Sequence, residues 1–162
     1  MSVTQTNILP GEGGAAARLD AFDRRILGAL KLDSRMSYAE LGRQVHLSAP
    51  AVYERVRKLR ESGIIRSYTV ETDPRALGLN TGAYLFLSLS GRACREFAAA
   101  LVKRKGVEEC HAVTGDWDLI ARVLVGTPGD LEDIIAELAS DPNVAKISSS
   151  LLLRSYEAVA DR

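Results

Sequence analysis

The stretch from Leu47 to Gly63 leaves the chain the least freedom, because it reads as one helix with both ends marked. Ser48 suits the N-cap, where its hydroxyl accepts from a free backbone N–H of the first turn. Pro50 falls in that first turn, where its missing N–H costs nothing. Gly63 can adopt the left-handed conformation that ends a helix. Val52, Val56 and Leu59 recur at i, i+4 and i+7 and form a narrow apolar stripe. Ala51, Glu54, Arg55 and Lys58 lie opposite, flanked by Arg57 and Arg60. The exposed residues of the first turn, Ala49, Pro50 and Ala51, are small and uncharged. A small tip with a basic rear suits the mouth of a DNA major groove: the tip approaches base edges while Arg and Lys reach phosphates. A solvated amphipathic helix carries the same pattern, so the neighbouring segments decide.

Ser37-Tyr38-Ala39-Glu40 is a capping box, a specific helix-start signal. The helix it opens runs to about His46, with Leu41 and Val45 inward, and a turn of about three residues leads to Ser48. A further helix covers Asp20 to Leu32, with Asp20 as its cap and Asp23 in the first turn. Phe22, Ile26 and Leu30 share its inner face, beside Leu19 and Leu27, which makes it a packing helix. Asp33-Ser34-Arg35-Met36 is a polar link. The three elements form a helix-turn-helix, and a strand expected over Gly63–Tyr68 would complete a winged unit. His46, at a helix end, is read as a cap rather than a ligand.

Net charge is zero across 162 residues, but it is spread unevenly. Residues 18–66 hold eleven Lys/Arg against six Asp/Glu, whereas residues 67–162 hold ten against fourteen. Only the first part is therefore suited to a polyanion. No segment approaches a membrane span and no signal-peptide pattern opens the chain, so no membrane association and a cytoplasmic location are expected. Cys94 and Cys110 give neither a disulfide framework nor a zinc spacing and are expected as reduced thiols.

From Asn80 the period changes. Ala83, Leu85, Leu87 and Leu89 alternate with Tyr84, Phe86, Ser88 and Ser90 as a strand does. Cys94, Phe97, Ala98 and Leu101 then repeat as a helix. Val107–Thr114 and Leu119–Val125 read as strands joined at Gly115-Asp116. Leu131, Ile134, Ile135 and Leu138 mark a second helix, and Val144–Leu153 the last strand. This β-α-β-β-α-β order gives a ferredoxin-like unit with both helices on one sheet face. The fold class is therefore α+β. The expected organisation is a tail over 1–17 without regular structure, a winged helix-turn-helix domain over 18–66 and a β linker over 67–79. A ferredoxin-like effector and oligomerisation domain over 80–157 and a short tail over 158–162 complete it.

The chain resembles the Lrp/AsnC, or feast/famine, family of transcription regulators. The resemblance rests on Leu19-Asp20-x-x-Asp23-Arg24-x-Ile26-Leu27, on Leu47-Ser48-x-x-x-Val52-x-Glu54-Arg55-Val56-Arg57-x-Leu59 followed by Gly63-Ile64-Ile65, and on Glu109-Cys110-His111-x-Val113-Thr114-Gly115-Asp116-Trp117-Asp118. It spans residues 19 to about 157. It implies a regulator that binds double-stranded DNA as a homodimer, assembles further into rings such as octamers, and senses a small effector, commonly an amino acid. The effector site of the family carries over to Gly115, Asp116, Trp117 and Asp118, with Ser148, Ser149 and Ser150 on the last strand as further lining. A glycine lets backbone N–H groups approach a carboxylate, and an aspartate can accept from an α-ammonium. The same Gly-Asp pair is also what any strand-to-strand turn needs, and Trp117 could serve a subunit interface instead.

On the DNA side, Arg55, Lys58 and Arg35 are expected to meet phosphates. Ala49, Pro50, Ala51, Tyr53 and Glu54 are expected to supply base-edge or positional contacts, with Ser37 and Ser48 at the helix starts nearby. No cofactor, metal or catalytic residue is expected. Cys110 and His111 are adjacent strand residues pointing to opposite faces, and no Ser/His/Asp constellation or phosphate loop is present. The alternatives are a nucleoid-type architectural protein without an effector, and a tetrapyrrole-processing enzyme on the same scaffold.

Overall fold

A computed structural model describes residues 19–91 and 94–154. The chain divides into two compact units between Glu71 and Thr72.

The first unit is helical: α1 (Ala21–Leu32), α2 (Tyr38–Val45) and α3 (Ala49–Glu61). Local chemistry sets each boundary. Asp20 caps α1 through the Asp23 N–H, and the Asp23 carboxylate accepts in return from the Asp20 N–H. Ser37 and Glu40 exchange the same pair of bonds at the start of α2. Ser48 accepts from the Ala51 N–H at 3.4 Å. His46 ends α2 in the left-handed conformation (φ 59°), the C-cap position expected of it. The turn into α3 is tight, because the Leu47 carbonyl passes so close to Gly42 that a Cβ there would stand 2.5 Å from its oxygen. Ile26, Leu41, Val45, Val52, Val56 and Leu59 form the buried core of the unit.

The expected wing strand over Gly63–Tyr68 is not formed, and residues 64–73 are neither helix nor strand. A strand is held by a ladder to a neighbour, and no described strand pairs with this segment. Ile64 and Ile65 pack against the helical core instead, and Tyr68 shares a shallow groove with Leu30, Met36 and Tyr38.

The second unit holds β1 (Thr81–Leu89), α4 (Cys94–Leu101), β2 (Val107–Ala112), β3 (Leu119–Val125), α5 (Pro128–Ala139) and β4 (Val144–Leu151). The sheet order is β2-β3-β1-β4, antiparallel throughout, as the expected split β-α-β unit requires. Period-two burial sorts its faces. Ala83, Leu85 and Leu87 of β1 stand opposite Val123, Ala121 and Leu119 of β3, all buried with Leu101, Leu131 and Leu138 of the two helices. The other face carries Tyr84, Phe86, Ile120 and Arg122, none of them buried. Cys110 stands beside Ala121 on the covered face and His111 beside Ile120 on the open one, so the two point apart as expected. Burial, with a smaller contribution from Cys94, pushes the Cys110 thiol up to about 11, which makes it a poor nucleophile at neutral pH.

Candidate DNA interface and effector hairpin

The outer surface of α3 is set by its buried stripe. With Val52, Val56 and Leu59 turned inward, Pro50, Tyr53, Glu54, Arg57, Lys58 and Arg60 are exposed, and Ala49 and Ala51 are half-buried at the tip. Tyr53, Glu54 and Lys58, expected at DNA, are thus on the solvent side of α3. Tyr53 packs edge-on against Tyr38 of α2, ring centroids 5.7 Å apart, which ties an exposed α3 side chain to the preceding helix. Arg35 lies exposed in the turn before α2, its backbone N–H donating to Asp33 at 2.9 Å. Lys58 and Arg35, expected at phosphates, carry no side-chain ion pair among the described residues.

Arg55, expected at a phosphate, is engaged within the helical unit. Its Nη1 donates to Asp20 Oδ2 at 2.6 Å and to Asp23 Oδ1 at 2.8 Å. Its guanidinium also lies 5.3 Å from the centroid of the Phe22 ring. The side chain is turned toward α1 and clamps α3 to it. The hydrogen bonds from Arg55 to Asp23 and Asp20 raise the arginine pKa. The Asp23 N–H foremost, with help from Arg55, holds the Asp20 carboxyl below its ordinary range. Ser37 and Ser48 are likewise engaged at home. The Ser37 hydroxyl donates to Glu40 at 2.6 Å and holds that carboxyl low, and the Ser48 hydroxyl is the α3 cap. Both serines thus act as caps of the helices they precede.

In the second unit, the hairpin between β2 and β3 is closed by the Val113 N–H on the Asp118 carbonyl at 3.0 Å. Gly115 takes φ 112°, a backbone conformation that a side chain would strain. The four hairpin residues divide by role. Asp118 is used structurally, since its Oδ2 accepts from the Leu89 N–H at 2.7 Å and the Ser88 hydroxyl at 3.2 Å. That fastens the start of β3 to the end of β1. Asp116 is exposed and makes no hydrogen bond or ion pair among the described residues. Trp117 is half-buried against Phe86, ring centroids 5.9 Å apart, and Lys146 Nζ lies 4.6 Å from its ring centre. Lys146 went unnoticed in the sequence, because only the strand register brings it beside the hairpin. The β4 serines split by the same alternation. Ser148 and Ser150 stand opposite Phe86 and Tyr84 on the open face, while Ser149 stands opposite Leu85 on the helix-covered side. The sheet therefore brings Ser148 and Ser150, but not Ser149, to the face that carries Phe86.

Comparison with known proteins agrees with this division. Residues 19–60 match the AsnC-type helix-turn-helix domain, and residues 82–158 match the Lrp/AsnC ligand binding domain. The HTH-type transcriptional regulator Rv2324 of Mycobacterium tuberculosis is 39% identical over 84% of this chain and 93% of its own. The HTH-type transcriptional regulator FL11 of Pyrococcus abyssi is 29% identical over 88% of this chain and 95% of its own. Among solved structures, the Neisseria meningitidis transcriptional regulator NMB0573 in complex with L-Met is similar at a TM-score of 0.81 and 28% identity, covering 87% of this chain and 94% of that one. The Mycobacterium tuberculosis leucine response regulatory protein LrpA is similar at a TM-score of 0.76 and 27% identity, with 89% and 98% covered.

Proposed function

Because the chain belongs to the Lrp/AsnC family of transcriptional regulators, with a DNA-binding helix-turn-helix and a ligand-binding domain, we propose that α3 binds operator DNA and that an amino acid held beside the Val113–Asp118 hairpin modulates that binding. The protein is a regulator and not an enzyme, which removes the tetrapyrrole-processing alternative. Two copies acting as a homodimer, itself assembling into a larger ring, would place two α3 helices on half-sites about one helical turn apart. The cytoplasm is where such a regulator meets its operator.

The observation that carries the amino-acid reading is the pair of opposite charges at the hairpin. Asp116 offers an unengaged carboxylate for an α-ammonium, and Lys146 offers a cation for an α-carboxylate. The Trp117 and Phe86 rings form an apolar wall beside them. The L-Met complex of the Neisseria regulator supports the same ligand class. Asp118 then acts by holding the hairpin, and Gly115 by allowing its backbone path.

Fluorescence anisotropy with DNA from upstream of the protein's own gene and with shuffled DNA, at fixed salt, tests this reading. Preferential binding to the upstream DNA that shifts with one of the twenty amino acids is expected, and Asp116→Asn should weaken the response about tenfold or more, as loss of a charged hydrogen bond does. Equal, amino-acid-blind binding to both DNAs would instead favour the architectural alternative.

A further inference from the structure

The outermost stripe of α3 is Pro50, Glu54, Arg57 and Glu61, all exposed and opposite the buried Val52, Val56 and Leu59. Within it Arg57 is held between two carboxylates. Its Nε and Nη2 donate to Glu54 Oε2 at 3.2 and 2.6 Å, and its Nη1 donates to Glu61 Oε1 at 2.9 Å. A guanidinium has five N–H donors in a fixed plane. Three are engaged here, so one N–H is left on each terminal nitrogen.

As a surface ion pair this trio adds little stability, because both partners are solvated and the side-chain ordering offsets the attraction. Its effect is to fix the plane of a long side chain at the centre of the groove-facing surface. Two parallel N–H groups are the donor pattern that matches O6 and N7 of guanine in the major groove. The flanking carboxylates disfavour a phosphate as partner for this arginine, since two like charges would then approach each other. They also raise the guanidinium pKa, Glu54 foremost, so the charge is permanent. The other arginine of the middle turn, Arg55, is committed to α1.

We propose that Arg57 is the base-reading arginine of α3, taking a guanine of the operator half-site through Nη1 and Nη2, with Glu54 and Glu61 as positioning residues that orient its guanidinium. This rests on the reading of α3 as the recognition helix and adds a base identity to it.

Selection by the full-length protein from a pool of random-sequence duplex DNA at fixed salt defines the preferred site. Wild type, Arg57→Ala, Arg57→Lys and Glu54→Gln are then titrated against that site and against duplexes changed at one base pair. The wild type is expected to fix one guanine per half-site. Arg57→Ala and Arg57→Lys should lose roughly 5- to 100-fold of the preference at that base pair alone, with the salt slope unchanged. Glu54→Gln should lose a smaller part at the same base pair, an effect that a purely structural role of Glu54 would not confine to one position. Arg57 is 46% exposed and outside the core, so these variants keep the fold. Arg57→Ala that weakens every sequence equally, with a salt slope smaller by about one, would overturn the proposal in favour of a phosphate contact. Unchanged selectivity would reduce the trio to a surface network. A wild type that enriches no sequence would remove the recognition-helix reading itself, a different result from a selective protein indifferent to Arg57.

Discussion

Arg55 and Arg57 sit two residues apart on one helix and serve opposite sides of it. Two residues along a helix is a rotation of roughly 200°, so Arg55 points to α1 while Arg57 stays at the outer surface. Arg55→Ala is therefore expected to cost about 1–2 kcal/mol of stability in the helical unit, a part-exposed, charge-assisted pair of bonds. The slope of log affinity against log salt should stay unchanged. A thermal melt and a salt titration read the two effects separately. The pH dependence follows from Asp20, whose carboxyl is held below its ordinary value of 3.8 in the folded protein. A depressed folded pKa means that its stabilisation is complete above the unfolded value and is lost as pH falls through the folded one. The stability gap between wild type and Asp20→Asn should accordingly close on acidification from just above 3.8. The basic side of α3 was legible in the sequence, but the partners of Arg55 lie 32 and 35 positions away, beyond any periodicity. Asp118 was hidden in the same way. Its spacing within the hairpin suggests a ligand contact, and only the sheet register places it on Ser88 and Leu89.

At the scale of the element, end chemistry proved the most readable signal. Asp20, Ser37 and Ser48 each cap the helix they were expected to cap, because an N-cap bond reaches only three residues and needs no tertiary information. The wing strand failed for the converse reason. Ile64, Ile65 and Tyr68 have strand-forming side chains, but propensity cannot supply the partner that a ladder needs. Gly42 also escaped notice, since its requirement comes from the carbonyl of the following turn. Gly42→Ala should force that turn apart and destabilise the helical unit by about 1–3 kcal/mol, as overpacking does. A denaturant melt monitored at 222 nm (the far-ultraviolet helix signal) checks it, with Gly28→Ala as a control where a Cβ meets nothing within 4 Å.

For the whole molecule, the two cores share no residue. Each unit should therefore lose its fold in its own transition. Leu41→Ala is expected to lower one transition and Leu85→Ala the other, each by about 2–5 kcal/mol for a fully buried leucine. Differential scanning calorimetry resolves the two, and a single transition displaced equally by both variants would refute this independence. Division into two units was visible in the sequence as a change of period near Asn80 and a change of charge sign. That both helices share one sheet face was expected too, but the sorting of the β4 serines was not, because the pleat assigns Ser149 and Ser150 to opposite sides.

The strand order also governs how the chain is made. β1 is the first strand to leave the ribosome, yet it is central in the sheet, with β3 on one side and β4 on the other. Its Ala83 acquires one neighbour when Val123 arrives and the second only with Leu151. The helical unit, built from contacts close in sequence, can be complete long before that. A nascent chain thus carries a finished DNA-binding head while a central, largely apolar strand still waits with bare edges. A message truncated before Val144 would fix the protein in that state, leaving β1 as an edge open to pairing with other chains.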